Sequence, residues 1–235
     1  MEELPKSHYY LTYDEIITKA QMIQPNFAAD LAQFAAYDSW FTAKVNAQLL
    51  QGIHRGMNDF SDASLDQAMQ QTKNMIDLQL AEARHSYEKL NYYVDIAFKD
   101  ATMTNETFGY SDFTIARSWA KKMISLLAQV LAAISQEDNK ARLLSAYMPP
   151  ELPLELSTIA SALAADYGEL KKLKRQQVMI TRERIELLNS LWDILSKICD
   201  DAKIIFANDP ARLAIYELYD LEGTDMDQAE LEENK

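Results

Sequence analysis

Cysteine, glycine and proline are scarce in this chain of 235 residues, which holds one, five and six of them. A single cysteine, Cys199, excludes an intramolecular disulfide, and its place on an apolar helical stripe reads as that of a small buried hydrophobe. Glycine and proline both weaken helix interiors, so their absence from the periodic stretches points to an all-α protein. Histidine is limited to His8, His54 and His85. No Gly-rich phosphate loop, nucleophile elbow or Cys/His cluster occurs, so the chain reads as non-enzymatic and no cofactor is implied. No run of eighteen apolar residues occurs, which excludes a helical membrane span. The start, MEELPKSHYYLTYDEI, lacks the apolar core of a signal peptide, so a cytoplasmic protein is the expectation. Cations are outnumbered, 23 against 36 acids, for a net charge of −13. That balance repels phosphate backbones and argues against a nucleic-acid partner.

What the chain has is helical periodicity. In Lys171–Phe206 the residues Leu188, Leu191, Leu195, Ile198, Ala202 and Ile205 recur at steps of three and four, which places them on one helix face. Flanking columns, including Ile185, Trp192, Cys199 and Phe206, widen the stripe until it can touch two or three neighbours. Asp193, Lys197 and Asp201 are expected to face water. This helix also matches an earlier one. Arg84–Lys99 aligns with Arg182–Lys197 through shared Arg, Glu, Leu, Asn, Asp, Ile and Lys, and Leu31-Ala-Gln aligns with Leu127-Ala-Gln. Accidental matches between amphipathic helices are apolar, whereas most of these identities are polar. The expected fold is therefore an up-and-down four-helix bundle of two related helical hairpins, about 26–104 and 113–206, with short extra helices at the termini. It forms a single domain over 1–219, followed by an acidic, disordered tail at 220–235.

Taken in order, a short helix over 14–23 is ended by Pro25, and Asn26 caps a helix running to about Leu50. Gly52 and Gly56 mark a loop. A second helix runs from Ser61–Ser64 to about Thr102, with Leu65, Met69, Thr72, Ile76, Leu80, Ala83, Tyr87, Leu90, Val94, Ala97 and Ala101 inward. A third carries Ile115, Trp119, Met123, Leu127, Val130 and Ile134, and is interrupted near Gln136–Lys140. Pro149, Pro150 and Pro153 force a break. The fourth helix starts near Leu154 and is expected to kink at Tyr167–Gly168. Asn208-Asp209-Pro210 restarts a short helix.

Candidate chemistry is sparse. Glu82-Ala-Arg-His85 has the spacing of a metal motif, but its repeat counterpart supplies neither ligand and it faces water. Asp38 lies on an apolar stripe, where a carboxylate needs a partner. Asp95/Lys99 and Asp193/Lys197 read as exposed i,i+4 pairs, and Asn91 and Asn189 as register-setting polar residues. Lys171, Lys172, Lys174, Arg175, Arg182 and Arg184 form a basic segment, read as a solvated face. One end of an up-and-down bundle would gather Tyr9, Tyr10, Tyr13, Phe108, Tyr110, Tyr216 and Tyr219, either as a binding surface for a protein partner or second copy, or as a plug of the open core. The function that follows is protein–protein or self-association, with a small-ligand or metal-binding bundle as the alternative.

The stretch LWDILSKICDDAKIIFANDPARLAIY resembles uncharacterised helical-bundle proteins of the Bacteroides group. That resemblance implies a helical bundle and no particular activity.

Overall fold

Thr12 opens the first helix with a reciprocal cap: its Oγ1 accepts from Glu15 N at 3.4 Å, and its own N–H donates to Glu15 Oε2 at 2.6 Å. A computed structural model describes residues 4–60, 63–98 and 106–218. Tyr219 and the tail at 220–235 lie outside them. Among the described residues every regular element is helical, so the protein is all-α. The helices are α1 (Tyr13–Tyr37), α2 (Ala43–Asn58), α3 (Ala63–Ala97), α4 (Tyr110–Ala116), α5 (Ala120–Ile134), α6 (Glu137–Ser145), α7 (Leu152–Ile205) and α8 (Pro210–Leu213), the last followed by a 3-10 turn, Ala214–Tyr216.

Contacts divide the chain into two compact units, residues 1–61 with 178–235 and residues 62–177. The single domain expected over 1–219 spans both, and the expected hairpin 113–206 draws on both.

In the first unit α1 packs on α2, and the α7 stripe completes the core. Leu188, Leu191, Leu195, Ile198 and Ala202 are buried, as their spacing predicts. Expectations fail here at Pro25, at Asn26, at the break after Tyr37 and at Gly52 and Gly56. Helix α1 runs through Pro25 instead of ending before it, and Asn26 donates from Nδ2 to Met22 O at 3.0 Å inside the helix instead of capping a new one. An interior proline costs about 3 kcal/mol. Burying Ile23 and Phe27 on its two sides returns roughly 1.5–3 kcal/mol for each. Packing wins. The chain breaks later, where Asp38 Oδ1 accepts from Trp40 N at 2.8 Å and Thr42 caps α2. That turn delivers Phe41 to Phe34, ring centroids 5.0 Å apart. Gly52 and Gly56 are buried inside α2, not in a loop. A Cβ on Gly52 would stand 2.6 Å from Leu191 Cδ2, and one on Gly56 would collide with Ile17 Cδ1, so both glycines serve close helix approach.

In the second unit α3 buries Leu65, Met69, Ile76, Leu80, Ala83, Tyr87, Leu90 and Val94 of the expected stripe, while Thr72 and Ala97 are half-buried and Ala101 lies outside the described residues. The predicted third helix is three, α4, α5 and α6. Its interruption near Gln136 is present, while the break at Arg117–Trp119 is an addition. Gly109 has φ +71°, the left-handed region, and a Cβ there would collide with Leu126 Cδ1. Both constraints hold the start of α4 tight against α5.

Helix α7 is continuous through Tyr167–Gly168, where a kink was expected. Gly168 is exposed and costs about 1 kcal/mol against alanine, too little to break a helix of 54 residues.

Candidate functional site

The aromatic residues singled out from the sequence are divided between the two units. Tyr9, Tyr10, Tyr13 and Tyr216 belong to the first unit, and Phe108 and Tyr110 to the second. Tyr216 is buried, stacks on Phe206 at 5.5 Å and donates its hydroxyl to Asp30 Oδ2 at 2.7 Å. Phe108 is buried against Phe98, and its carbonyl accepts the Tyr87 hydroxyl at 2.7 Å. Tyr9 and Tyr13 are half-buried, and Tyr13 donates its hydroxyl to Gly56 O beneath the Arg184 guanidinium. Tyr110 is half-buried and donates to Asn91 O and Asp95 Oδ1 at 2.9 and 3.0 Å. Only Tyr10 among the described members stands out in water, 95% exposed. Tyr13, Tyr110 and Tyr216 thus lodge their hydroxyls on carbonyls and carboxylates. Burial accordingly pushes the Tyr87 and Tyr110 hydroxyls well above the ordinary phenol range, and that of Tyr216 up to about 12.

The buried acid of the first unit is Asp30, a residue the sequence reading passed over. Its side chain is 2% exposed and meets both Tyr216 and Arg212, whose Nε lies 2.9 Å from Oδ2. Asp209 accepts from Arg212 N, with Pro210 at the first helical position, as its sequence predicts. The C-terminal turn is thereby latched onto α1. Asp38, the acid that drew attention, is half-exposed and pairs with Lys197 Nζ at 2.8 Å. The lysine hydrogen bond and the Trp40 N–H hold its carboxyl below the usual range. Lys197 also takes Asp201 at 2.9 Å, so it does not face water alone and does not pair with Asp193. Asp193 instead takes His8 Nδ1 at 3.1 Å.

Glu82 and His85 are exposed beside Ser86, whose hydroxyl donates to Glu155. Among the described residues no group of three or more His, Cys, Asp or Glu side chains is placed to hold a metal, and no helix is long and apolar enough to cross a membrane. In the basic segment Lys172 pairs with Glu169 at 3.3 Å and Lys171 lies over the Tyr167 ring at 4.6 Å.

The surface that stands apart is at the α4–α5 junction. Ile115 and Trp119, expected in the core, are 57% and 62% exposed. The break explains it: Trp119 N donates to Ala116 O at 3.1 Å, and the Trp119 backbone is extended (φ −129°, ψ 109°), which throws the indole outward. Arg117, Lys121 and Lys122, two and three residues from it along the chain, are all exposed, and no described acid pairs with them. A notch of about 120 Å³ opens beside Ile115, floored by Ala116 and Leu126 and edged by Asp112, Lys122 and Gln129. The signal was readable, since cations flank Trp119 at positions −2, +2 and +3, a poor pattern for a core tryptophan. A second concavity, about 610 Å³, lies between α2 and α7 in the first unit, with Trp40, Gln48, Gln51 and Glu186 on its walls.

Fold and surface define the class: an all-α protein of two helical units, one of which exposes Ile115 and Trp119 on a segment that also carries Arg117, Lys121 and Lys122. Comparison with protein-family models, curated proteins and solved structures returns no match for the chain.

Proposed function

We propose that the protein is a non-enzymatic association module that binds another protein through the Ile115–Trp119 surface. The observation that carries this reading is the outward tryptophan beside an exposed isoleucine. Binding energy concentrates on such residues, tryptophan above all, and bare pairs of this kind mark interaction sites. A second copy is a poor symmetric partner, because a two-fold contact here would set three cations against three. Trp119→benzoylphenylalanine in the producing cells should, on irradiation, yield a discrete protein adduct that Asp138→benzoylphenylalanine does not. Absence of an adduct at 119 would sink the reading.

The same reading includes a duplicated build and the affinity with Bacteroides-group helical bundles. Asn91 and Asp95 of α3 receive the Tyr110 hydroxyl at the start of α4. Their counterparts at a shift of 98, Asn189 and Asp193 of α7, receive the backbone N–H and ring of His8, just before α1. Ala20/Ala116, Phe27/Met123 and Phe34/Val130 are buried in both units at a shift of 96. These parallels support two related helical segments, drawn more naturally as α1–α3 and α4–α7 than as two four-helix-bundle hairpins.

A further inference from the structure

Resting on the association reading, we propose that the segment bound at the α4–α5 junction is an acidic stretch of a partner protein, anchored by one aliphatic side chain. Four observations combine. Arg117, Lys121 and Lys122 form an unneutralised positive patch on a chain of net charge −13, so the local field opposes that of the molecule. The apolar components, Ile115 and Trp119, lie within that patch, which couples a desolvated contact to charge steering. The notch floor, Ala116 and Leu126, is 1% and 2% exposed, so an inserted group would meet packed hydrocarbon. A cavity of ~150 Å³ accommodates a benzene-sized group, and about 120 Å³ therefore suits one leucine, isoleucine or methionine side chain.

The first turn of α5 agrees with this chemistry. It carries no acidic residue, and Trp119 supplies no side-chain cap, so the leading N–H groups of a 15-residue helix face the patch without a side-chain acceptor. A partner carboxylate would complement both these N–H groups and Lys121 and Lys122. Asp112 is the one acid on the notch edge, and it fixes polarity: the partner's carboxylates lie towards Trp119 and its aliphatic anchor towards Asp112.

A display library of random short peptides, panned against the full chain with Trp119→Ala as counter-selection, tests this. The leading peptide is then titrated against the chain and its variants. Peptides that depend on Trp119 should carry net negative charge around a Leu, Ile or Met. Binding should fall about tenfold or more, 1.4 kcal/mol per decade, in the Lys121→Glu/Lys122→Glu variant, and should weaken as salt rises. Trp119-dependent peptides that are neutral or basic overturn the acidic-partner inference and leave the association reading standing. An absence of any Trp119-dependent peptide overturns both. Phosphatidylserine vesicles are titrated in parallel. Vesicle binding that is tighter than peptide binding and lost in Trp119→Ala would assign the patch to an anionic membrane and overturn the proposal. All substitutions lie at exposed positions, and glutamate in a first helical turn favours the helix dipole, so circular dichroism should remain that of the parent.

Discussion

Removing the carboxylate of Asp30 tests whether the C-terminal turn is latched as described. Asp30 is 1% exposed and holds two partners of unequal standing. Tyr216 is equally buried, and its hydroxyl has no path to water when the acceptor is lost. Arg212 is 40% exposed at its side chain and can swing out. Removing one partner of a fully buried ion pair costs about 3–5 kcal/mol; losing the acid costs somewhat less here because the arginine left behind reaches water, whereas losing the arginine leaves the buried carboxylate unpaired by charge. The tyrosine bond to a charged acceptor contributes about 1.5–3 kcal/mol. Asp30→Ala should therefore lose about 2–4 kcal/mol and Tyr216→Phe about 1.5–3 kcal/mol, while Arg212→Ala, which leaves the buried carboxylate with the tyrosine alone, should lose about 2–4 kcal/mol. Asp30→Ala and Tyr216→Phe should be non-additive, since each removes the same bond. Urea denaturation followed by circular dichroism measures the costs, and amide exchange over 209–218 reports the local opening. If Asp30→Ala or Arg212→Ala is within about 0.5 kcal/mol of the parent, the latch does not work as argued.

The two glycines of opposite environment should respond with opposite sign. Gly52→Ala forces Leu191 to move and should cost about 1–3 kcal/mol, whereas Gly168→Ala, with open space around it, should stabilise by about 1 kcal/mol; thermal melts of both decide it. Leu195→Ala should cost about 2–5 kcal/mol, and Asp193→Ala, from an exposed pair, under about 0.5 kcal/mol, by the same denaturation assay. Burial pushes the Cys199 thiol up to about 12, so it should resist dithionitrobenzoate at pH 8 in the native protein and react once urea unfolds it. Tyr216 is likewise raised to about 12 from the ordinary 10, so its neutral form belongs to the fold. Its contribution is complete below pH 10 and fades between about 10 and 12, and Tyr216→Phe should blunt the alkaline fall in melting temperature relative to the parent.

The parts of the molecule legible in its sequence are those decided by many residues at once. The stripes of α3 and of the second half of α7 repeat so many times that no single substitution could disguise them, and most of their members are buried. What resisted reading turned on single residues whose local meaning the packing reversed. Pro25 says stop, yet Ile23 and Phe27 on either side carry α1 across it. Gly52 and Gly56 say loop, yet they are the points where α2 approaches Leu191 and Ile17 most closely. Asp30 and Asp38 both interrupt the stripe of Phe27, Phe34 and Phe41, and spacing alone cannot tell which has an arginine and a tyrosine waiting 182 and 186 residues away. Trp119 shows the same limit in the other direction. Its spacing from Ile115 and Met123 fits a helical core face, and only the three cations around it argue for the surface. A period counts apolar residues, whereas a break in the chain decides which way each one points. The break at Arg117–Trp119 therefore carries functional weight: it exposes the one tryptophan of the second unit where a continuous helix would have buried it.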